Sequence, residues 1–277
     1  MRFLAVLGVF FCAVALAKGY KEFGITTPEE LQEESWSDRI IQGSPAVANQ
    51  FPHQGYLLVT LSGGSRIQCG ASLISTRWAI TAAHCLQGAT SAQLSLGNIA
   101  IASSPVVVTS TNLRVHPNYN ANTLNNDIAL LGWNSDVPLG ANIRPIALAK
   151  DPNLNYAGET VTASGFGYTA NNGPTSSTLR YVNLRVITNA VCQQTFGSII
   201  IASTVCAAGI TSSAQGVCSG DSGGPLILGS GTSATLVGVV SFVSSAGCSS
   251  SAPSGFVRPN HYVSWINSVT GLRFDLD

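Results

Sequence analysis

Short apolar runs alternate with turn residues along most of this chain. From Ile40 onward the runs are Gly55–Leu61, Ile99–Val108, Ile128–Trp133, Thr160–Ser164, Leu179–Ile187, Leu226–Leu228 and Thr235–Val243. Many are rich in Val, Ile, Leu and Thr, and Gly, Asn, Pro and Ser fill the gaps. Repeated short strands with turn signals predict an all-β sandwich or barrel. Two segments read as helical. One is a turn near Asn189–Phe196. The other is His261–Val269, where Val263, Ile266 and Val269 recur at helical spacing after Pro259.

The first 39 residues break this pattern. Arg2, the apolar stretch Leu4 to Leu16 and the small-residue site Ala15-Leu16-Ala17 read as a secretory signal over residues 1–17. That apolar run is shorter than the roughly 18 residues a membrane span needs. No later stretch is long and apolar enough for one, so the chain is expected to be secreted, extracellular and free of the membrane. Residues 18–39 then hold six of the thirteen acids and few β-branched residues, and read as solvated. Composition turns abruptly apolar at Asp38-Arg39-Ile40-Ile41-Gln42-Gly43. The segment is either a linker or an activation propeptide cut after Arg39 by a trypsin-like enzyme; the second reading is preferred.

Composition narrows the function. The 277 residues are 45% hydrophobic and 9% charged, enough to bury a large core. Low charge and the absence of a basic run argue against nucleic acid as a partner. Removing residues 1–17 removes Cys12 and leaves Cys69, Cys85, Cys192, Cys206, Cys218 and Cys248. An even count in an exported protein means disulfides rather than metal ligation. Six cysteines leave about 15 pairings open; joining neighbours would give Cys69–Cys85, Cys192–Cys206 and Cys218–Cys248. The histidines are scattered and no carboxylate cluster resembles a calcium loop, so no metal and no cofactor are expected.

The chemistry centres on Gly220-Asp221-Ser222-Gly223-Gly224-Pro225. Glycines on both sides of a serine permit a strained turn and close approach of a substrate. Consecutive N–H groups in such a turn can hold a developing oxyanion. A nucleophilic serine also needs a base and an orienting acid. Gly-x-Ser-x-Gly also fits an α/β-hydrolase elbow, which requires an acid and then a histidine downstream. After Ser222 the only histidine is His261, with no Asp or Glu between them, so the partners must lie upstream.

Four histidines compete for the role of base. His53 sits at a strand start, His116 in the turn Val115-His116-Pro117-Asn118, and His261 opens the final helix. His84 ends the apolar run Trp78-Ala79-Ile80-Thr81-Ala82-Ala83 and is tethered by Cys85, which would pin its backbone. Among the few carboxylates after residue 40, Asp136, Asp151 and Glu159 lie in turns and Asp275 and Asp277 on the tail. Asp127 stands at the mouth of Ile128-Ala129-Leu130-Leu131, where burial demands hydrogen bonds or a cation. A histidine that becomes imidazolium during turnover is a suitable partner.

Four stretches together resemble the chymotrypsin-like serine peptidases, the trypsin/chymotrypsin/elastase family. They are Arg39-Ile40-Ile41-Gln42-Gly43, Thr81-Ala82-Ala83-His84-Cys85, Asn126-Asp127-Ile128-Ala129-Leu130-Leu131 and Gly220-Asp221-Ser222-Gly223-Gly224-Pro225. They fall in the family's order, and the resemblance runs from Ile40 to about Val269. With few charges and one lysine, Lys150, after Arg39, the chain looks most like arthropod digestive enzymes.

The resemblance implies two six-stranded Greek-key β-barrels and a C-terminal helix over residues 40–277, the first barrel 40–145 and the second 146–277. It implies Ser222 as nucleophile, His84 as base and then acid, and Asp127 as the residue that orients the histidine. The N–H groups of Gly220 and Ser222 would form the oxyanion hole. Ser241 would support Asp127 and open the substrate strand Ser241-Phe242-Val243. Gly216 and Val217 would floor the specificity pocket, with Val243 and Ser254 as walls and no acid to favour Lys or Arg. Small to medium apolar P1 residues are therefore expected, with Phe and Tyr next. Cleavage at Arg39 would free Ile40 to pair with Asp221. Partners implied are protein or peptide substrates, a trypsin-like activator and proteinaceous inhibitors, for a monomer acting in a setting such as the gut lumen.

Three positions depart from the family. Ile67 stands where many zymogens carry a histidine that holds the acid before the nucleophile. Phe242-Val243 replaces the usual Trp-Gly, and the loop from Val243 to Cys248 is one residue longer than in many relatives. A catalytically silent binding homologue is the alternative function, but such proteins usually lose a triad member and this chain keeps all three.

Overall fold

The computed structural model describes residues 40, 42–151, 153–171, 173–211 and 214–274. The expected signal 1–17 and propeptide 18–39, Arg39 included, lie outside them, as do Ile41, Asp275 and Asp277.

After the two-residue strand β1 (Ser44–Pro45), seven strands build the first sheet: β2 (Gln54–Leu61), β3 (Arg66–Ser75), β4 (Trp78–Thr81), β5 (Ala89–Leu96), β6 (Val106–Ser110), β7 (Asn112–Val115) and β8 (Ala129–Gly132). Helix α1 (Ala83–Leu86) lies between β4 and β5. The order is β6-β5-β2-β3-β4-β8-β7, antiparallel throughout. Only Thr111 separates β6 from β7. There Ser110 Oγ accepts the Asn112 N–H and donates to the Gly132 carbonyl at 2.6 Å, turning the chain to the far edge. Counted as one bent strand, β6 and β7 bring this half-barrel to the six expected.

The second sheet holds the two-residue strand β9 (Ala147–Leu148), β10 (Thr160–Gly165), β11 (Arg180–Ile187), β12 (Thr204–Gly209), β13 (Pro225–Leu228), β14 (Thr235–Phe242) and β15 (Ser254–Val257). Its path β11-β10-β13-β14-β15-β12 closes through β11–β12 pairing into a six-stranded barrel, with β1 and β9 added at its margins. Helix α2 (Asn189–Phe196) precedes β12, its N-terminus capped by Thr188 Oγ1, which accepts the Val191 N–H. Pro259–Tyr262 forms a 3-10 turn that leads into helix α3 (Val263–Thr270), with Gly271 in the left-handed conformation at its end.

Side-chain alternation explains both cores. In β5, Ala92, Leu94 and Leu96 point inward while Thr90 and Gln93 are exposed. Strand β8 is buried along its whole length between β4 and β7. Leu57, Leu73, Ile80, Leu94, Leu130 and Leu131 are fully buried in the first core; Ile40, Leu184, Leu226 and Phe256 fill the second. Each such side chain contributes about 1.5–3 kcal/mol by leaving water.

The expected run Ile99–Val108 is not one strand. A 3-10 turn at Ile101–Ser103 interrupts it; backbone bonds from Ser103 and Ser104 close the turn, and Asn98 Nδ2 adds a bond to the Ser103 carbonyl. The disulfides join neighbours: Cys69–Cys85, Cys192–Cys206 and Cys218–Cys248.

Candidate active site

His84 sits in the single turn of α1, directly after the buried strand β4. Asp127 lies on the loop entering β8 and is wholly buried. A buried carboxylate needs donors on both oxygens, and this one has three. The His84 N–H reaches Oδ1 at 2.8 Å, His84 Nδ1 lies 2.7 Å from Oδ2, and Ser241 Oγ donates to Oδ2 at 2.6 Å. Backbone and ring of one histidine are thus fixed by one carboxylate, and Ser241 adds a bond from the end of β14 in the other sheet. The Cys69–Cys85 bridge lies close to this histidine. A ring nitrogen of His84 lies within 4.8 Å of the sulfurs of Cys69 and Cys85. Those sulfurs are bonded to each other, so they offer no thiolate to a metal.

Ser222 is half-buried in a turn held from both sheets. Its carbonyl accepts the Gly70 N–H at 2.7 Å, and the Gly70 carbonyl accepts Thr81 Oγ1 at 2.8 Å. Gly223 N–H donates to Val240 and Val240 N–H to Gly224. Gly220 has φ +91, and neither its N–H nor that of Ser222 donates to another described residue. Two free donors two positions apart are the raw material of an oxyanion site.

Asp221, beside the serine, is also wholly buried. Gly167 N–H donates to Oδ1 at 2.7 Å and Cys218 N–H to Oδ2 at 2.9 Å. No cation pairs with it among the described residues. Burial lifts its pKa to about 6, against the pull of those two N–H bonds. Ile40 is buried in the second core, and Arg180 donates to the Gly43 carbonyl just beyond it.

The other histidines are placed elsewhere. His53 is buried before β2, and burial together with nearby Arg144 holds its pKa down to about 3. The His116 ring packs edge-on against Tyr262 and Trp265. His261 lies exposed in the Pro259–Tyr262 turn. Asp136 forms an exposed ion pair with Arg77.

Around the expected pocket, a side chain at Gly216 would start 3.2 Å from Ser254 Oγ, so these two positions face each other. Val217 is in the core of the second barrel. The Phe242 ring covers Gly255, which leaves no room for a Cβ there, and meets Phe196 edge-on at 5.1 Å. Val243 lines a cavity of about 340 Å³ together with the Cys218–Cys248 bridge. Ile67 packs against the first core. Its neighbour Gln68 donates through Nε2 to the Phe166 carbonyl at 2.7 Å and lies against Gly220. Gly70, Gln68 and Gly167 were not legible as site residues, because each acts through a backbone or amide group on a partner some 50 to 150 positions away.

Fold and site match what a β-barrel serine peptidase requires, and the comparisons with known proteins show that class. The trypsin family model matches residues 40–266. A collagenase of Hypoderma lineatum is 40% identical over 85% of this chain and 89% of its own length. Brachyurin of Leptuca pugilator is 34% identical over 84% and 99%, and a chymotrypsin of Phaedon cochleariae 32% over 84% and 83%. The solved structure of HL collagenase superposes with a TM-score of 0.78 at 38% identity, covering 84% of this chain and 99% of that one. The chain belongs to the trypsin family of serine endopeptidases.

Gly70 offers a direct test of how the serine turn is held. A Cβ there would sit 2.8 Å from the Gly224 Cα, a backbone atom that cannot swing aside. Gly70→Ala is expected to lower kcat/KM at least tenfold by displacing the turn and to cost about 1–3 kcal/mol of stability. Peptidase assays and thermal melts would check this; unchanged kcat/KM would mean the turn is held by other contacts.

Proposed function

We propose that the protein is a secreted digestive serine endopeptidase, made as a zymogen, that cleaves after small to medium apolar residues. The observation that carries this reading is the buried Asp127 carboxylate, gripping both the backbone and the ring of His84. Relatives named collagenase, brachyurin and chymotrypsin support protein substrates.

Ser222 Oγ attacks the scissile carbonyl carbon as its proton passes to His84 Nε2. The carbonyl oxygen becomes an oxyanion and accepts the N–H groups of Gly220 and Ser222. Asp127 keeps Nδ1 protonated and stabilises the imidazolium. The imidazolium then gives its proton to the leaving amine, the C–N bond breaks, and an acyl-Ser222 ester remains. Water, deprotonated by His84, cleaves that ester and regenerates the hydroxyl.

Activation follows from Asp221. A buried carboxylate without a cation is costly, and cutting after Arg39 would create an ammonium at Ile40. Pairing the two would fix the turn that carries Gly220. In the pocket, Gly216 and Ser254 present no charge to a basic P1 residue, and Val243 is a branched side chain at the entrance. Hydrophobic pockets discriminate by only about 1–3 kcal/mol per methylene, so the profile should be broad.

Three outcomes are expected. Ser222→Ala and His84→Ala should abolish nearly all activity and Asp127→Asn most of it, with the Ser222/His84 double variant little worse than either single one. Near-native turnover by Ser222→Ala would overturn the mechanism. On matched peptides, kcat/KM should favour Ala and Leu at P1 over Phe, with Arg poorest; preference for Arg would refute the pocket reading.

The third outcome concerns pH. Asp221 in the uncut chain has its pKa raised from 3.8 to about 6. Its favourable contribution is complete below pH 3.8 and is lost as pH rises through 6, a change on the order of 3 kcal/mol. Cleavage supplies a cation that removes the loss. In the Ser222→Ala background, the Tm of the cut protein minus that of the uncut protein should therefore widen between pH 4 and pH 7. A difference that stays flat over that range would contradict the pairing.

A further inference from the structure

The chain from Val243 to Pro253 follows the end of β14 and precedes β15, and it forms no strand. Its internal bonds are local turns: Gly247 N–H to the Ser244 carbonyl, Ala246 N–H to Ser244 Oγ, and Ser250 N–H to the Gly247 carbonyl. Among the described residues, two covalent or hydrogen-bonded tethers lead out of it. One is the Cys218–Cys248 disulfide. The other is Asn171, whose Oδ1 accepts the Ser249 N–H at 3.2 Å, 78 positions away in sequence.

Asn171 makes a second contact with the same wall. Gly247 has φ +101, and a Cβ built on it would fall 2.7–2.9 Å from the Asn171 amide. Only a glycine lets the wall approach the amide this closely. Asn171 itself stands on a braced segment. Gly167 N–H holds Asp221, Tyr168 N–H donates to the Ser219 carbonyl at 2.7 Å, and Gly173 N–H closes a turn on Ala170. One five-residue stretch therefore grips the acid beside the nucleophile, the residue before Gly220, and the wall that carries Val243. Tyr168, Asn171, Ser219 and Val243 share the lining of the 340 Å³ cavity between them.

We propose that Asn171 is a specificity-determining positioning residue: its side-chain amide anchors the Val243–Ser249 wall to the loop behind the oxyanion turn and so sets how far Val243 intrudes on the substrate. This rests on the reading of Val243 as a wall of the P1 pocket. Losing one hydrogen bond loosens the wall by a modest free energy, so the effect is a shift in discrimination rather than a loss of chemistry.

The test compares wild type, Asn171→Ala, Asn171→Asp and Val243→Gly in the activated enzyme, with fluorophosphonate titration counting competent sites. The readouts are kcat and KM separately for Leu- and Phe-P1 peptides, and hydrogen exchange at the Ser249 amide. Asn171→Ala should raise Phe relative to Leu by roughly two- to tenfold in kcat/KM, mostly through KM, and speed exchange at Ser249. Asn171→Asp keeps an acceptor oxygen and should restore the wild-type ratio. A ratio unmoved by Asn171→Ala but moved by Val243→Gly would overturn the role of Asn171 and leave the pocket reading standing. A ratio moved by neither would overturn both. If Asn171→Asp behaves like Asn171→Ala, the hydrogen bond is not the cause and the proposal fails.

Discussion

The carboxylate of Asp127 is the constraint on which the site depends. It is fully buried, and a bare ionised group in that position would cost several kcal/mol. Three donors offset that cost, two from His84 and one from Ser241. His84 belongs to the first sheet's chain segment and Ser241 to the second, so meeting the needs of one charge also aligns the two sheets. The fold thereby sets the position of His84 before any substrate arrives, which is what preorganisation requires.

The serine turn is held by the same logic, with backbone groups in place of a charge. Gly70 on β3 reaches the Ser222 carbonyl, and Val240 on β14 exchanges bonds with Gly223 and Gly224. Each sheet thus supplies one side of the turn, and Thr81 steadies Gly70 from the strand that leads to His84. Asp221 is the unfinished part of this arrangement. Two N–H groups satisfy its oxygens, yet burial still pushes its pKa up to about 6. Its carboxylate therefore has two N–H donors and, among the described residues, no cation.

Much of this was legible in the sequence, for physical reasons that also explain what was not. Strands such as Thr160–Gly165 and Arg180–Ile187 advertise themselves through β-branched residues. Strands β3 and β5 do not, because Arg66-Ile67-Gln68-Cys69-Gly70 and Ala89-Thr90-Ser91-Ala92-Gln93 carry small and polar side chains whose alternation is faint until Ala92 and Leu94 are seen facing inward. The turn at Ile101–Ser103 was hidden by its Ile-Ala composition; backbone bonds from Ser103 and Ser104 close it and the Asn98 side chain adds one more. At the site, His84, Asp127, Ser222 and Ser241 stood out because their chemistry requires particular side chains. Gly70, Gly167 and Asn171 did not, since a backbone N–H or a lone amide leaves no trace in local pattern.

In the proposed mechanism Ser222, activated by the His84–Asp127 pair, performs the chemistry. The most direct measurement treats the full chain with trypsin, labels it with a fluorophosphonate, and maps the adduct by mass spectrometry. One adduct is expected, on Ser222, abolished by His84→Ala and weak before cleavage. An adduct on another residue, or labelling of Ser222 that His84→Ala leaves intact, would contradict that mechanism.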